Sequence, residues 1–251
     1  MLALVTGASS GFGYHICKKL INQGYNVIGI ARRTEKLETI KHELGTNFLP
    51  ITLDISESYE KTLDKLLSLP TKFSLKEIDM VVNNAGLALG LEPAYKANIH
   101  DWYQMLDTNI KGLISITRIV LPYMEEKRDG IIINMGSIAG SYAYPGANVY
   151  GATKAFVEQF SLNLRADLAG KGIRVSNIEP GLCGNTEFSL VRFRGDLTQV
   201  KKLYDRTNPI LPEDIANVVL WIASQPKHIN INRIELMPTS QSFNHLQVTH
   251  N

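Results

Sequence analysis

The stretch that decides the fold is Leu2-Ala-Leu-Val-Thr6-Gly7-Ala8-Ser9-Ser10-Gly11-Phe12-Gly13. A short apolar run ends in a glycine-rich turn, and an amphipathic segment follows at once. The glycines allow backbone torsions closed to other residues and let an anion approach the main chain closely. The helix that follows offers free N–H groups and the positive end of its dipole. The spacing is Gly-x-x-x-Gly-x-Gly, so the commoner Gly-x-Gly-x-x-Gly fingerprint does not strictly apply. A plain strand-to-helix connector is the simpler alternative. Its place at the first strand–helix junction favours a cradle for a pyrophosphate.

Working outward, apolar runs at 2–6, 26–31, 48–53, 80–82, 131–135, 175–179 and 233–236 read as strands. They are rich in Val, Ile and Leu without strict alternation, as strands covered on both faces should be. Helical patterns separate them. Residues 14–22 space Ile16, Leu20 and Ile21 helically, with Gly24 as a C-terminal stop. Residues 34–44 open on a Thr cap, 101–123 and 148–169 are long, and 212–223 begins with Pro in the first turn. This alternation predicts a single α/β domain, residues 1–251. Its core would be a doubly wound, Rossmann-type parallel sheet of about seven strands with helices on both faces. Right-handed crossovers then gather the loops after the strands at one edge. Residues 185–211 are charged and lack strand periodicity, so they read as a substrate-loop insertion rather than a second domain.

Composition excludes several classes. With 44% hydrophobic and 20% charged residues, the 251-residue chain is an ordinary globular one. Twenty-six Lys and Arg against 24 Asp and Glu leave only +2, so no nucleic-acid surface is expected. Two cysteines, Cys17 and Cys183, make no disulfide framework and predict a cytoplasmic setting. The uncharged run 130–153 carries Asn134, Ser137, Pro145 and Asn148, so it is no membrane span. The six histidines are scattered, and no metal site is expected.

At the end of the second strand, an NAD enzyme places an acid on the ribose 2′-hydroxyl. This chain has Arg32-Arg33 there, whose guanidinium forks suit a 2′-phosphate. Ser9 or Ser10 adds a hydroxyl donor. NADP(H) is the cofactor that this arrangement predicts, against two arginines that merely open a solvated helix. Tyr150 and Lys154 stand four apart at the start of the helix at 148–169, on one face. Acid–base work by a phenol near neutrality asks for a displacement from its pKa of ~10 costing about 4 kcal/mol. A neighbouring ammonium and a nicotinamide cation both push in that direction. Alone, the pair reads equally as a buried Tyr beside a snorkelling Lys.

It does not stand alone. Thr6-Gly-x-x-x-Gly-x-Gly13, Asn83-Asn-Ala-Gly86, Asn109, Ser137, Tyr150 with Lys154, and Pro180-Gly181 follow in order. The chain resembles the classical short-chain dehydrogenase/reductase family, and the resemblance runs its whole length. It implies that Tyr150 is the general acid/base, with Lys154 lowering its pKa and holding the nicotinamide ribose. It also implies that Ser137 polarises the substrate oxygen and that Asn109 holds a water of the proton relay. For the cofactor it implies Gly7, Ala8, Ser9, Ser10, Gly11, Phe12 and Gly13 under the pyrophosphate, and Asp54 with Ile55 at the adenine. Asn84, Ala85 and Gly86 would lie along the ribose, and Pro180, Gly181, Leu182, Cys183 and Thr186 at the carboxamide. Asn83 is expected to serve backbone groups of the central sheet. The step from Pro180 to Thr186 is one residue longer than the family's common spacing. Cys183 reads as a small apolar filler rather than a redox thiol.

Asn83 to Ala94, Asn148 to Phe156, and Pro180 to Phe188 followed by Val191 to Gly195 resemble one branch of the family, the NADP-dependent 3-hydroxy acid dehydrogenases. That resemblance implies L-allo-threonine, serine and 3-hydroxypropionate/malonic semialdehyde as substrates. A carboxylate substrate needs a cationic partner, and Arg192 and Arg194 follow the nicotinamide loop. Against this stand two solvated surface arginines. The alternatives are a reductase of thioester, steroid or sugar carbonyls, or an NADP-binding protein without chemistry. The resemblance further implies a homotetramer. Ile114, Ile119, Phe156, Phe160 and Leu164 on the two long helices are compatible with packing against both the sheet and a partner.

Overall fold

The computed structural model describes residues 1–242; the expected single domain is therefore described up to that point, and the tail beyond it lies outside. Seven strands form one sheet in the order β3-β2-β1-β4-β5-β6-β7. They are β1 (Leu2–Thr6), β2 (Asn26–Ala31), β3 (Phe48–Thr52), β4 (Ile78–Asn83), β5 (Gly130–Met135), β6 (Ile173–Pro180) and β7 (Arg233–Leu236). Every pairing is parallel. The chain winds outward from β1 to β3, then returns to lay β4 against the other side of β1. That reversal opens a crevice beyond the carboxyl ends of β1 and β4, where such sheets bind ligands.

The helices are α1 (Gly11–Asn22), α2 (Thr34–Leu44), α3 (Tyr59–Leu67), α4 (Ile99–Leu106), α5 (Leu113–Lys127), α6 (Asn148–Asp167), α7 (Phe188–Arg192), α8 (Leu197–Tyr204) and α9 (Pro212–Ser224). Period 2 shares each strand between two cores. Ala3 and Val5 of β1 pack with Ile16 and Leu20 of α1 and Ile215 and Val219 of α9. Leu2 and Leu4 face the other way, toward Leu66, Ile116 and Leu164 of α3, α5 and α6. All five residues of β1 are buried, which is why the run shows no polar alternation.

Several expectations are corrected. Thr34 is the first helical residue of α2, with Arg33 in the cap position; its hydroxyl meets that of Thr52 instead. The helix expected at 101–123 is two helices joined by a wider π turn, Asp107–Gly112. α3 was not foreseen, because only Thr62 and Leu66 of its nine residues are buried. The 185–211 segment holds two short helices rather than open loop, α8 being capped by Asp196. Asn83 serves side chains, not backbone: its amide donates to Thr117 Oγ1 and Asn134 Oδ1, tying β4 to α5 and β5. Among the apolar residues expected to face both ways, Ile119 and Leu164 belong to the core. Phe156 and Phe160 stack on each other at 5.7 Å, Phe156 being exposed. No helix among the described residues is long and apolar enough to cross a membrane.

Candidate active site

The crevice is a cavity of about 680 Å³ running from the glycine-rich turn to the 185–211 segment. Of the residues expected there, all line it except Ala8, Gly13, Asn109 and Arg194. Ala8 and Gly13 are the support beneath. The Ala8 N–H donates to Ile30 O, and a Cβ on Gly13 would stand 2.2 Å from Gly7 O. Gly7 and Gly11 have φ of 69° and 51°, a region that favours glycine. Thr6 stitches the turn to β4: its hydroxyl accepts from Asn84 N and Ala85 N, while Asn84 Nδ2 donates to Thr6 O. That tie takes up part of the amide expected to meet a ribose.

At the adenosine end, Arg33 donates to Ser9 Oγ and Ser10 Oγ, and Arg32 lies 3.7 Å from Asp54. Asp54 is otherwise held by Ser56, through both its N–H and its hydroxyl. Two guanidiniums and two hydroxyls line this end, and the carboxylates beside them, Asp54 and Glu187, come from outside β2. This donor set fits a phosphate monoester, and the glycine turn leaves room for a pyrophosphate.

At the other end, Ser137 follows β5, and its Oγ accepts from Ala139 N. Tyr150 and Lys154, both buried, rise from α6, which packs its small residues against the Ser137 turn: a Cβ on Gly140 would touch the α6 backbone at 2.9 Å. Lys154 Nζ donates to Met135 O at 2.7 Å and lies 5.9 Å from the Tyr150 ring. Asn109 sits behind them, in the π turn. Its amide grips both backbone groups of Leu87 at 2.9 Å and donates to Thr153 Oγ1, so it locks the loop after β4 to α6. Burial pushes the Tyr150 phenol well above its ordinary value, opposed by its hydrogen bond with Ser137 and by the Arg192 cation. Burial also lowers the Lys154 ammonium to about 8. The protein alone thus holds Tyr150 as a protonated phenol.

The two candidate arginines part company. Arg192, at the end of α7, lies 5.5 Å from the rings of both Tyr144 and Tyr150 and donates to Tyr144 Oη and Gly90 O. Arg194 pairs with Asp101 of α4 and is mostly exposed. Residues not foreseen also line the cavity. Tyr144 holds Arg192, Phe188 packs 5.7 Å from the Tyr150 ring, and Gln241 Oε1 accepts from Leu182 N. No local pattern marks them, because each contact joins segments far apart in sequence. Burial raises the Cys183 thiol to about 12; the residue packs against the core as a filler does.

The short chain dehydrogenase family profile matches residues 1–193. The chain belongs to that family and is an oxidoreductase. It is 61% identical over 247 residues to a probable NADP-dependent dehydrogenase of Haemophilus influenzae, spanning 98% of this chain and 97% of the relative. An NADP-dependent 3-hydroxy acid dehydrogenase of Salmonella typhi is 54% identical over 248 residues, 99% of each chain. The solved closed form of a serine dehydrogenase complexed with NADP+ superposes with a TM-score of 0.97, at 52% identity and 100% coverage of both chains.

Proposed function

We propose that the protein is an NADP(H)-dependent dehydrogenase of small 3-hydroxy acids, with L-allo-threonine, serine and 3-hydroxypropionate among its substrates and malonic semialdehyde reduced in reverse. The observation that carries this reading is Arg192. A guanidinium held between two tyrosine rings, one of them Tyr150, is a cation placed to take a carboxylate next to the acid/base. The named relatives support the same substrate class.

Arg33 with Ser9 and Ser10 would hold the 2′-phosphate, the turn from Gly7 to Gly13 the pyrophosphate, Asp54 and Ile55 the adenine. Asn84 to Gly86 with Lys154 would hold the ribose units, and Pro180 to Thr186 the carboxamide. When bound, the nicotinamide supplies the hydride acceptor or donor and, oxidised, a positive charge beside Tyr150. Ser137 donates to the substrate oxygen and fixes it against Tyr150 Oη. Tyr150 takes the hydroxyl proton in oxidation and returns it in reduction. Lys154, protonated below about 8, adds the charge that draws the phenol down from its buried value. Asn109 keeps the loop after β4 in place and, with it, the wall that carries Gly86. Arg192 anchors the carboxylate so that the 3-carbon faces the nicotinamide site.

We place the enzyme in the cytoplasm as a homotetramer. The exposed Phe156 and the half-exposed Trp221 of α9 support faces that partners cover, and sedimentation velocity tests it. The reaction itself is tested by following NADPH absorbance with NADP+ or NAD+ and a panel of 3-hydroxy acids. Turnover that prefers NADP+ and needs the substrate carboxylate is expected. Silence across the panel, with NADPH still bound, overturns the substrate class and leaves a reductase of other carbonyls.

A further inference from the structure

The chemistry above occupies the nicotinamide end of the cavity, and it leaves a contact at the adenosine end unexplained. Glu187 follows Thr186 and immediately precedes α7, on the wall opposite α2. Its carboxylate crosses the groove: Oε2 lies 2.7 Å from Arg33 Nη1, and Oε1 lies 2.5 Å from Lys36 Nζ. The segment also lies close over the glycine turn here: a Cβ on Gly11 would stand 3.3 Å from Thr186 Cγ2. Burial opposes ionisation of this carboxyl, but hydrogen bonds from Lys36, Arg33 and Ser10 hold it down to about 2.

We infer that Glu187 is a positioning residue that clasps the 185–211 segment over the adenosine end of the bound cofactor through Lys36. The inference rests on the NADP(H) reading of the site. Charge decides between a clasp and a competitor for the phosphate. A phosphate monoester brings about −1.5 to −2 and the carboxylates of Glu187 and Asp54 −1 each, against the three cations Arg32, Arg33 and Lys36, of which Arg32 already faces Asp54 at 3.7 Å. Arg33, with both serines already on its fork, turns to the phosphate. Lys36, three residues further along α2 and on the same face, stays with the carboxylate. Each anion keeps a cation, and the loop keeps its hold. A few residues further on, the same segment is fastened separately, by Arg192 to Gly90 and by Arg194 to Asp101. Cofactor release therefore depends on a side chain that touches none of the reacting atoms.

The test is a double-mutant cycle on cofactor binding, read by energy transfer from the protein's tryptophans to the reduced nicotinamide. Wild type, Glu187→Gln, Lys36→Met and the double variant are titrated with NADPH and with NADH. NADH lacks the 2′-phosphate, so with it Lys36 acts on binding through Glu187 alone, while Arg33 stays on the carboxylate. Expected is a three- to tenfold rise in Kd for both cofactors in Glu187→Gln, carried by faster dissociation, with kcat/KM losses of the same size. With NADH, the double variant binds no worse than Glu187→Gln alone. An unchanged Kd, a tighter NADPH complex or additive losses overturn the clasp. A wild type that binds no NADPH overturns the cofactor reading instead, which separates the two failures.

Discussion

On the sheet side of the cavity, Ser137, Tyr150 and Lys154 are fixed by backbone partners and by packing between α6 and the ends of β4 and β5. On the facing side, Gly181 to Gly184 is tied by its backbone to Leu236, Gln241 and Ile210, but the stretch from Glu187 to Arg194 is reached from across the groove by side chains: Glu187 with Lys36, Arg194 with Asp101, Arg192 with Tyr144. Buried backbone anchoring tolerates little movement, whereas exposed ion pairs contribute about 0–1 kcal/mol each and exchange readily. The first wall suits atoms that must be placed to fractions of an ångström. The second suits a surface that opens for each cofactor and selects each substrate.

The sharpest way to break this comparison is at the buried wall. Tyr150→Phe removes one oxygen and no packing, so kcat should fall by about 10²–10⁴-fold while the Kd for NADPH stays within twofold. Loss of NADPH binding would make Tyr150 a structural residue. Gly13→Ala comes next: its Cβ has nowhere to go against Gly7 O, so cofactor affinity and Tm should drop together, measured by titration and calorimetry. On the facing wall, Arg192→Ala should raise KM for serine by about 10–100-fold with a smaller change in kcat, as loss of a charge-assisted hydrogen bond worth roughly 1.5–3 kcal/mol predicts. Arg194→Ala should leave KM within about twofold, its partner being the exposed pair with Asp101. Equal effects from the two arginines would erase the distinction between them.

Stability sharpens the picture by pH. Lys154 has a folded value of about 8, below the 10.5 of the free side chain, so the native state sheds this proton first. The penalty of burying the ammonium is complete below pH 8 and disappears as pH rises toward 10.5. Wild type should therefore gain stability relative to Lys154→Met across that window, by up to about 3 kcal/mol, in urea melts at each pH. A pH-independent difference would mean that Lys154 is better solvated than its burial indicates.

The sequence exposes the sheet wall because that wall is local. Each strand ends within a residue or two of the polar group it delivers, as Thr6 does for the glycine turn and Met135 for Ser137. Runs buried on both faces announce themselves by their apolar continuity. The facing wall is not local. Glu187 and Lys36 lie 151 residues apart, and nothing in either neighbourhood marks the other. α8 buries no residue at all, so no periodicity exposes it. Arg192 and Arg194 look alike in sequence, and only the turn at the end of α7, with Arg194 at φ 52°, sends one inward and the other out.

The π turn at Asp107–Gly112 has a consequence of phase. α4 and α5 form one rod, but the wider turn holds one residue more than an α-helix would, so the two halves are screws set about 100° out of step. That offset lets α4 face the rim through Asp101 while α5 sinks Ile116 and Val120 into the sheet. It also turns Asn109 to Leu87. Deleting a single residue there would bring the rod into step, and one end or the other would have to rotate out of its seat. Length at this point, more than residue type, is what the fold cannot trade.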